Sequence, residues 1–158
     1  MNHSPDETLR EIVSHVLKLF RSEVLPVRVQ RKVRLDIVTD ADRVVEESIC
    51  NIIRRYHPDH AILAEESGGH RDSNHLWVID PIDGTINFAS GLPLFSVSLA
   101  YQKNGRTEEA AIILPALGSV YTASRYNGAF LGKNRLHVST RNLQDAVISI
   151  ILLSLIHI

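Results

Sequence analysis

Apolar residues recur at helical spacing in two stretches and alternate or run together in several shorter ones, which predicts two helices followed by a set of strands. Leu9, Ile12, Val13, Val16, Leu17 and Phe20 form the first helical stripe. Ser4, Pro5 and Glu7 stand at the N-cap, first and third positions of a capping box, and Pro26 marks the far limit. Val27 to Arg34 alternates valine with Arg, Gln and Lys, as an exposed strand or hairpin arm does. After Leu35 to Val38, Thr39 caps a second helix whose Val45, Ser48, Ile49, Ile52, Ile53 and Tyr56 share a face, and which ends at His57 before Pro58.

From residue 60 the period changes. Ala61 to Ala64 and Leu76 to Ile79 are short apolar runs, each followed by an acid, with a polar Gly-Gly loop between them; they read as buried strands. Phe95, Val97, Leu99 and Tyr101 alternate with Ser96, Ser98 and Ala100, and Asn104-Gly105 is a hairpin turn into Glu109 to Leu114. Val120 to Ala123, Ala129 to Leu131 and Leu136 to Val138 continue as strands, with turns at Asn127-Gly128 and Lys133-Asn134. The expected fold class is α+β, with helices layered on a mainly antiparallel sheet. No repeat, low-complexity tract or linker divides residues 1–149, and 150–158 read as a separate apolar tail.

The chain has 158 residues, 44% of them hydrophobic, enough for one domain with its own core. A formal charge of -1 gives no basic field, so nucleic acid is not expected as the main partner. Fifteen of the eighteen acids precede Thr85, which is where a cation site belongs. The single cysteine, Cys50, cannot form an internal disulfide and flanks an apolar helical face. The N-terminal residues lack the pattern of a secretory signal, and the run Val147 to Ile156 is too short to span a bilayer as a helix, so the expected location is the cytoplasm, without membrane association.

Three acidic segments carry the chemistry. In DPIDGT, Asp80 and Asp83 follow a buried strand, Pro81 stiffens the turn, Gly84 permits close backbone approach, and a helix starting at Thr85 would present free N–H groups to an anion. Generic Asp-Gly turns are usually only surface turns; acids ending a buried strand carry a desolvation penalty that a cation offsets. In AEES, Glu65 suits a cation ligand or a base, and Glu66 suits a supporting role, although paired glutamates are more often a solvated loop. In DIVTDAD, Asp40 and Asp42 fall in the first turn of a helix, where the dipole favours carboxylates without any function. The eight histidines show no clustering, so neither a zinc site nor a Ser/His/Asp triad is expected, and no nucleotide-binding glycine loop occurs. Arg54-Arg55 and Arg31-Lys32 read as solvated faces.

Taken in order, DIVTDAD, AEESG, WVIDPIDGTINF, GLPLFSVSLA and ILPALGSVYTASRYNGAFLGKNRLHVS resemble the inositol monophosphatase family of magnesium-dependent, lithium-sensitive phosphatases, over roughly residues 8 to 149. The resemblance implies alternating helix and sheet layers, with this chain supplying the N-terminal α+β half. It implies Mg²⁺ held by Glu65, Asp80, the Ile82 carbonyl and Asp83, with Asp42 serving a further, weaker ion. Thr85 with Glu65 matches the pair that activates the attacking water, the Gly84 and Thr85 amides match the phosphate donors, and Lys32 loosely matches a lysine of the basic arm. Hard, hydrated Mg²⁺ suits a histidine-free set of carboxylates and a carbonyl, and paired ions stabilise both attacking and leaving oxygens. The implied substrate is a small phosphomonoester: inositol phosphate or a related sugar phosphate, with histidinol phosphate, fructose bisphosphate or a 3′-phosphonucleotide as alternatives. A non-catalytic metal-binding or dimerising partner is the reading from another class, and the full-length form is expected to be a homodimer. The family's WDxAAG-type motif, whose Asp serves the second metal, has no counterpart here, so this chain by itself is expected to be weakly active or inactive.

Overall fold

Helix α1 (Pro5–Ser22) begins where the capping box requires: the Ser4 N–H donates to the Glu7 carboxylate at 2.8 Å and the Glu7 N–H to the Ser4 hydroxyl at 3.3 Å. The computed structural model describes residues 3–22, 25–26, 29–33 and 36–145, with the side chains of 29–33, 36–38 and 143 left out. The apolar tail expected at 150–158 therefore lies outside the described residues, as does the end of the 1–149 unit. Strands β1 (Val29–Val33) and β2 (Asp36–Thr39) pair as an antiparallel hairpin, which feeds directly into α2 (Asp40–Tyr56). No helix among the described residues is long and apolar enough to cross a membrane.

The rest of the described chain builds one sheet from β3 (Ala61–Ala64), β4 (Gly68–Gly69), β5 (His75–Asp83), β6 (Ser96–Lys103), β7 (Arg106–Leu114), β8 (Ser119–Ser124), β9 (Gly128–Leu131) and β10 (Asn134–Arg135). Their spatial order is β10-β9-β8-β7-β6-β5-β3-β4, and every pairing is antiparallel except β3 with β5. The fold class is thus α+β with a mainly antiparallel sheet. Short helix α3 (Thr85–Ala89) connects β5 to the β6 segment.

Period-2 alternation sets the core. Trp77, Ile79, Val97, Leu99, Ala111 and Ile113 point to one face of the sheet and are buried, packed beneath Leu9, Ile12 and Val16 of α1 and Val45, Ile49 and Ile53 of α2. Side chains of this size contribute about 1.5 to 3 kcal/mol each when fully buried, so the two helices are held by their stripes rather than by propensity. On the opposite face, register aligns Val78, Ala100, Ala110, Ala123 and Ala129 in one row and Asp80, Ser98, Ile112, Tyr121 and Leu131 in the next, and Ile112 and Tyr121 there remain exposed.

Four local expectations are corrected. DPIDGT is not a turn up to Asp83: β5 runs through it, and a register shift accommodates Pro81, which has no N–H to give the ladder. Gly68-Gly69 is a two-residue strand on β3 rather than a loop, and only glycine fits at its second position, where a Cβ on Gly69 would lie 2.0 Å from the Ile62 carbonyl oxygen. Leu136 to Val138 is not a strand: the ladder with β9 ends at Arg135, and beyond it, among the described residues, only the Leu136 N–H is seen to reach β9, at the Ala129 carbonyl 2.8 Å away. The turn before β10 falls at Gly132-Lys133, not at Lys133-Asn134.

Candidate functional site

Two features of the sheet bring the acids together. The first is the parallel pairing of β3 and β5, in which Ala64 lies opposite Ile79 and the Glu65 N–H continues the ladder to the Ile79 carbonyl at 3.1 Å. The parallel pairing therefore ends with Glu65 next to Asp80, at the carboxyl end of β3 while β5 runs on to Asp83, and the carboxyl ends of parallel strands commonly hold ligand sites. The second is the bulge. Asp80 pairs with Ser98 and Asp83 with Ser96, so three steps along β5 match two along β6. Directly paired residues point to the same side, and Ser96 and Ser98 share a face, so the extra residue returns Asp83 to the side of Asp80. Regular alternation would have sent the two aspartates to opposite faces.

Electrostatics records the resulting crowding. Burial, the Glu65 carboxyl beside it, and the charges of Asp83 and Asp42 push the Asp80 carboxyl up to about 7. Glu65 and Asp80 also share a side-chain hydrogen bond. The other Asp80 oxygen, Oδ1, is buried without a hydrogen-bond partner. A buried acceptor facing three more carboxyls fits a hard cation by the chemistry of its donors. The spacing is that of carboxyls pairing with each other: among the described residues no group of three or more His, Cys, Asp or Glu side chains is disposed to hold a metal ion as it stands.

Asp42 enters from the other layer. It is 1% exposed at the third position of α2, and its Oδ2 accepts from the Thr39 N–H at 2.8 Å and from the Thr39 hydroxyl at 2.6 Å. Its Oδ1 faces the Thr85 hydroxyl at 3.3 Å. That hydroxyl has one proton to divide between Asp42 and the Ile82 carbonyl, which is 2.9 Å away. The structure thus pairs Thr85 with Asp42 and Ile82, whereas the sequence resemblance pairs it with Glu65. Gly84 adopts a left-handed conformation (φ 91°) as the N-cap of α3, and a Cβ there would meet the Leu94 carbonyl oxygen at 3.0 Å, so glycine is required on both counts. Lys32 lies in β1, and its side chain falls outside those described.

Sequence reasoning missed Glu46. It is 4% exposed, one helical turn beyond Asp42, and its two oxygens accept the N–H groups of Glu66 at 2.9 Å and Ser67 at 3.0 Å. The only signal was a lone acid on the core-facing side of an amphipathic helix. The histidines were also misread. His57, His60 and His75 stack with ring centroids 4.4 and 4.6 Å apart, beside Trp77 and Tyr101. The Trp77 N–H donates to His60 Nδ1 at 3.1 Å, Thr8 Oγ1 lies 2.9 Å from His57 Nε2, and the Tyr101 hydroxyl lies 2.6 Å from His75 Nδ1. Parallel rings cannot aim their in-plane lone pairs at one ion, so the cluster remains unsuited to zinc.

Comparison with known proteins decides the kinship. The family model described as the inositol monophosphatase family matches residues 4–156. The chain belongs to that family. Among its curated relatives, Nus factor SuhB of Pasteurella multocida is 45% identical over 117 residues, covering 72% of this chain and 44% of the relative. Fructose-1,6-bisphosphatase/inositol-1-monophosphatase of Thermotoga maritima is 45% identical over 113 residues, covering 71% of this chain and 44% of the relative. Extragenic suppressor protein suhB from Bartonella henselae superimposes with a TM-score of 0.71 at 33% identity, over 83% of this chain and 51% of that one. An IMPase/NADP phosphatase complexed with Mg²⁺ and phosphate superimposes with a TM-score of 0.67 at 28% identity, over 80% of this chain and 48% of that one. The chain thus spans about half the length of the relatives it matches, and the fold seen here corresponds to their N-terminal half.

Proposed function

We propose that this chain is the acid-bearing half of a Mg²⁺-dependent phosphomonoesterase acting on inositol phosphate or a related sugar phosphate. The observation that supports this most directly is the convergence of Glu65, Asp83 and Asp42 on Asp80, whose Oδ1 is buried and unpartnered. In this reading Glu65, Asp80, the Ile82 carbonyl and Asp83 hold the ions, and Asp42 serves a further one. When bound, Mg²⁺ would polarise the phosphoryl oxygens and lower the pKa of a water. Thr85 would orient an attacking water with its hydroxyl, Glu65 would accept its proton, and the Gly84 and Thr85 amides would take the phosphate oxygens. Asp42, fixed by Thr39, holds the Thr85 hydroxyl in place.

The Thermotoga relative's name keeps fructose 1,6-bisphosphate as an alternative substrate, beside histidinol phosphate and 3′-phosphonucleotides. A second reading comes from the relatives named Nus factor SuhB: a binding role without turnover, as a metal-binding or dimerising partner. The test is phosphate release from inositol monophosphate and the other esters, with and without Mg²⁺, by this chain and by a version extended with the second half of a family member. Mg²⁺-dependent release by the extended protein, with little from the chain alone, is expected. No release from any ester by the extended protein would refute the phosphatase reading and leave the binding role.

A further inference from the structure

Helix α2 touches both acidic segments through one stripe. Asp42 reaches Thr85 at the end of β5, and Glu46, four residues on and therefore on the same side of the helix, reaches the turn that follows β3. We infer that Glu46 is a positioning residue: its buried carboxylate pins the turn at residues 65–67 and so fixes Glu65 relative to Asp80. The inference rests on the reading of these acids as a cation site.

The turn needs such a device. β3 enters the turn with Ala64 buried and Ile62 packed on the core, but β4 beyond the turn is two exposed glycines, so the far side of the turn has no side-chain packing to hold it. The Glu65 N–H is tied to β5, but the next two N–H groups point away from the sheet and have Glu46 as their acceptor. One oxygen serves each N–H, so the carboxylate grips the peptide units on either side of the Glu66 α-carbon as a two-point clamp. With both ends of the Glu65–Ser67 segment held, Glu65 has little freedom beyond its own rotamers. Burying an acid at a helix position that would otherwise take an aliphatic side chain is unfavourable unless both oxygens are satisfied, and this geometry satisfies both. Groups that orient ligating carboxylates through the backbone or a hydrogen bond typically alter metal affinity about 10- to 100-fold when removed.

The experiment uses Mn²⁺ as a spectroscopic probe of the cation site, with amide hydrogen exchange at Glu66 and Ser67 as a readout independent of metal. In Glu46→Gln the side-chain amide can accept from one N–H only and presents a donor to the other. Glu46→Asp keeps the charge but shortens the reach by one methylene, and Glu47→Gln is the exposed control on the adjacent position. The wild-type amides of Glu66 and Ser67 should exchange slowly without metal. Both Glu46 variants should lose that protection and bind Mn²⁺ about tenfold more weakly at a temperature where circular dichroism shows them folded, while the control matches wild type. Unchanged protection in Glu46→Gln would overturn the clamp. Lost protection with unchanged Mn²⁺ affinity in both variants would make Glu46 merely structural. No Mn²⁺ uptake by the wild type would instead remove the cation-site reading, and with it the positioning role.

Discussion

Acidification should loosen this protein at the histidine stack, and His60 is the place to measure it. The Trp77 indole N–H can only donate, so His60 Nδ1 must accept and the folded imidazole must be neutral, with its proton on Nε2. Burial, then the neighbouring His57 and His75, push the His60 pKa from 6.5 down to about 4, against a smaller opposite pull from Asp59. Burial, His3 and His75 likewise lower that of His57. Tyr101 and Lys103 also line the cleft that these rings share. A base whose pKa is depressed by folding contributes its full stability above its unfolded value of 6.5, and loses it as pH falls toward about 4. Near pH 5 the linkage gives a loss of about 2 kcal/mol for His60, reduced to about 1 kcal/mol because the ring is partly solvated. At about 2 to 4 °C per kcal/mol for a chain of this size, that is a measurable shift in Tm. Thermal melts near pH 7.5 and near pH 5 should show a fall in Tm about 2 to 4 °C larger for wild type than for His60→Gln, whose carbonyl can still accept from Trp77. Carboxylates common to both proteins cancel in this difference. Equal falls for the two would show that His60 does not carry the acid sensitivity.

Three further outcomes follow from the site. In EDTA near pH 8, Asp80→Asn should melt higher than wild type by the equivalent of about 1 to 2 kcal/mol, because it removes the buried charge, and with it the repulsion from Glu65, that raise this carboxyl. That advantage should vanish below pH 3.8, where Asp80 is protonated in both folded and unfolded chains, while near pH 8 without EDTA the variant should take up less Mn²⁺; a lower Tm in EDTA would contradict the crowding. Gly84→Ala should lose about 1 to 2 kcal/mol from its left-handed backbone, with a further penalty from the Leu94 carbonyl, and an unchanged Tm would refute the tight fit. In the extended protein Thr85→Ala should cut turnover about a hundredfold or more at saturating Mg²⁺ with little change in the Mg²⁺ concentration needed, and an unchanged rate would exclude its role in orienting water.

The helices and the β6–β7 hairpin were legible because each is set by nearby residues. The stripes of α1 and α2 repeat at helical spacing, both caps are four-residue patterns, and Asn104 and Gly105 take the positive φ values, 52° and 72°, that their turn demands. What the sequence hid depends on partners far along the chain. Proline and glycine in DPIDGT argue locally for a turn, but pairing with β6 holds the segment as strand and converts the proline into a bulge. The two glycines after AEES carry no strand signal at all, and the close approach of the Ile62 carbonyl oxygen, which leaves no room for a Cβ on Gly69, arises only once they pair with β3.

The same division runs through the site. Motif order singled out Glu65, Asp80, Ile82, Asp83, Gly84, Thr85 and Asp42 as candidates, since each stands in a short recognisable string. Their mutual arrangement was not in those strings. It comes from one parallel pairing, which sets Glu65 beside Asp80, and from one extra residue in β5, which turns Asp83 to the same face. Glu46 and the histidine stack lie wholly on this second level: the Glu46 contacts span twenty and twenty-one residues, and Thr8 meets His57 across forty-nine. A carboxylate in an amphipathic stripe resembles an interruption of the core until the turn it holds is known. The motifs therefore supply the candidate groups, the β3–β5 pairing and the β5 bulge set them side by side, and α2 ties Asp42 to Thr85 and Glu46 to the turn after β3.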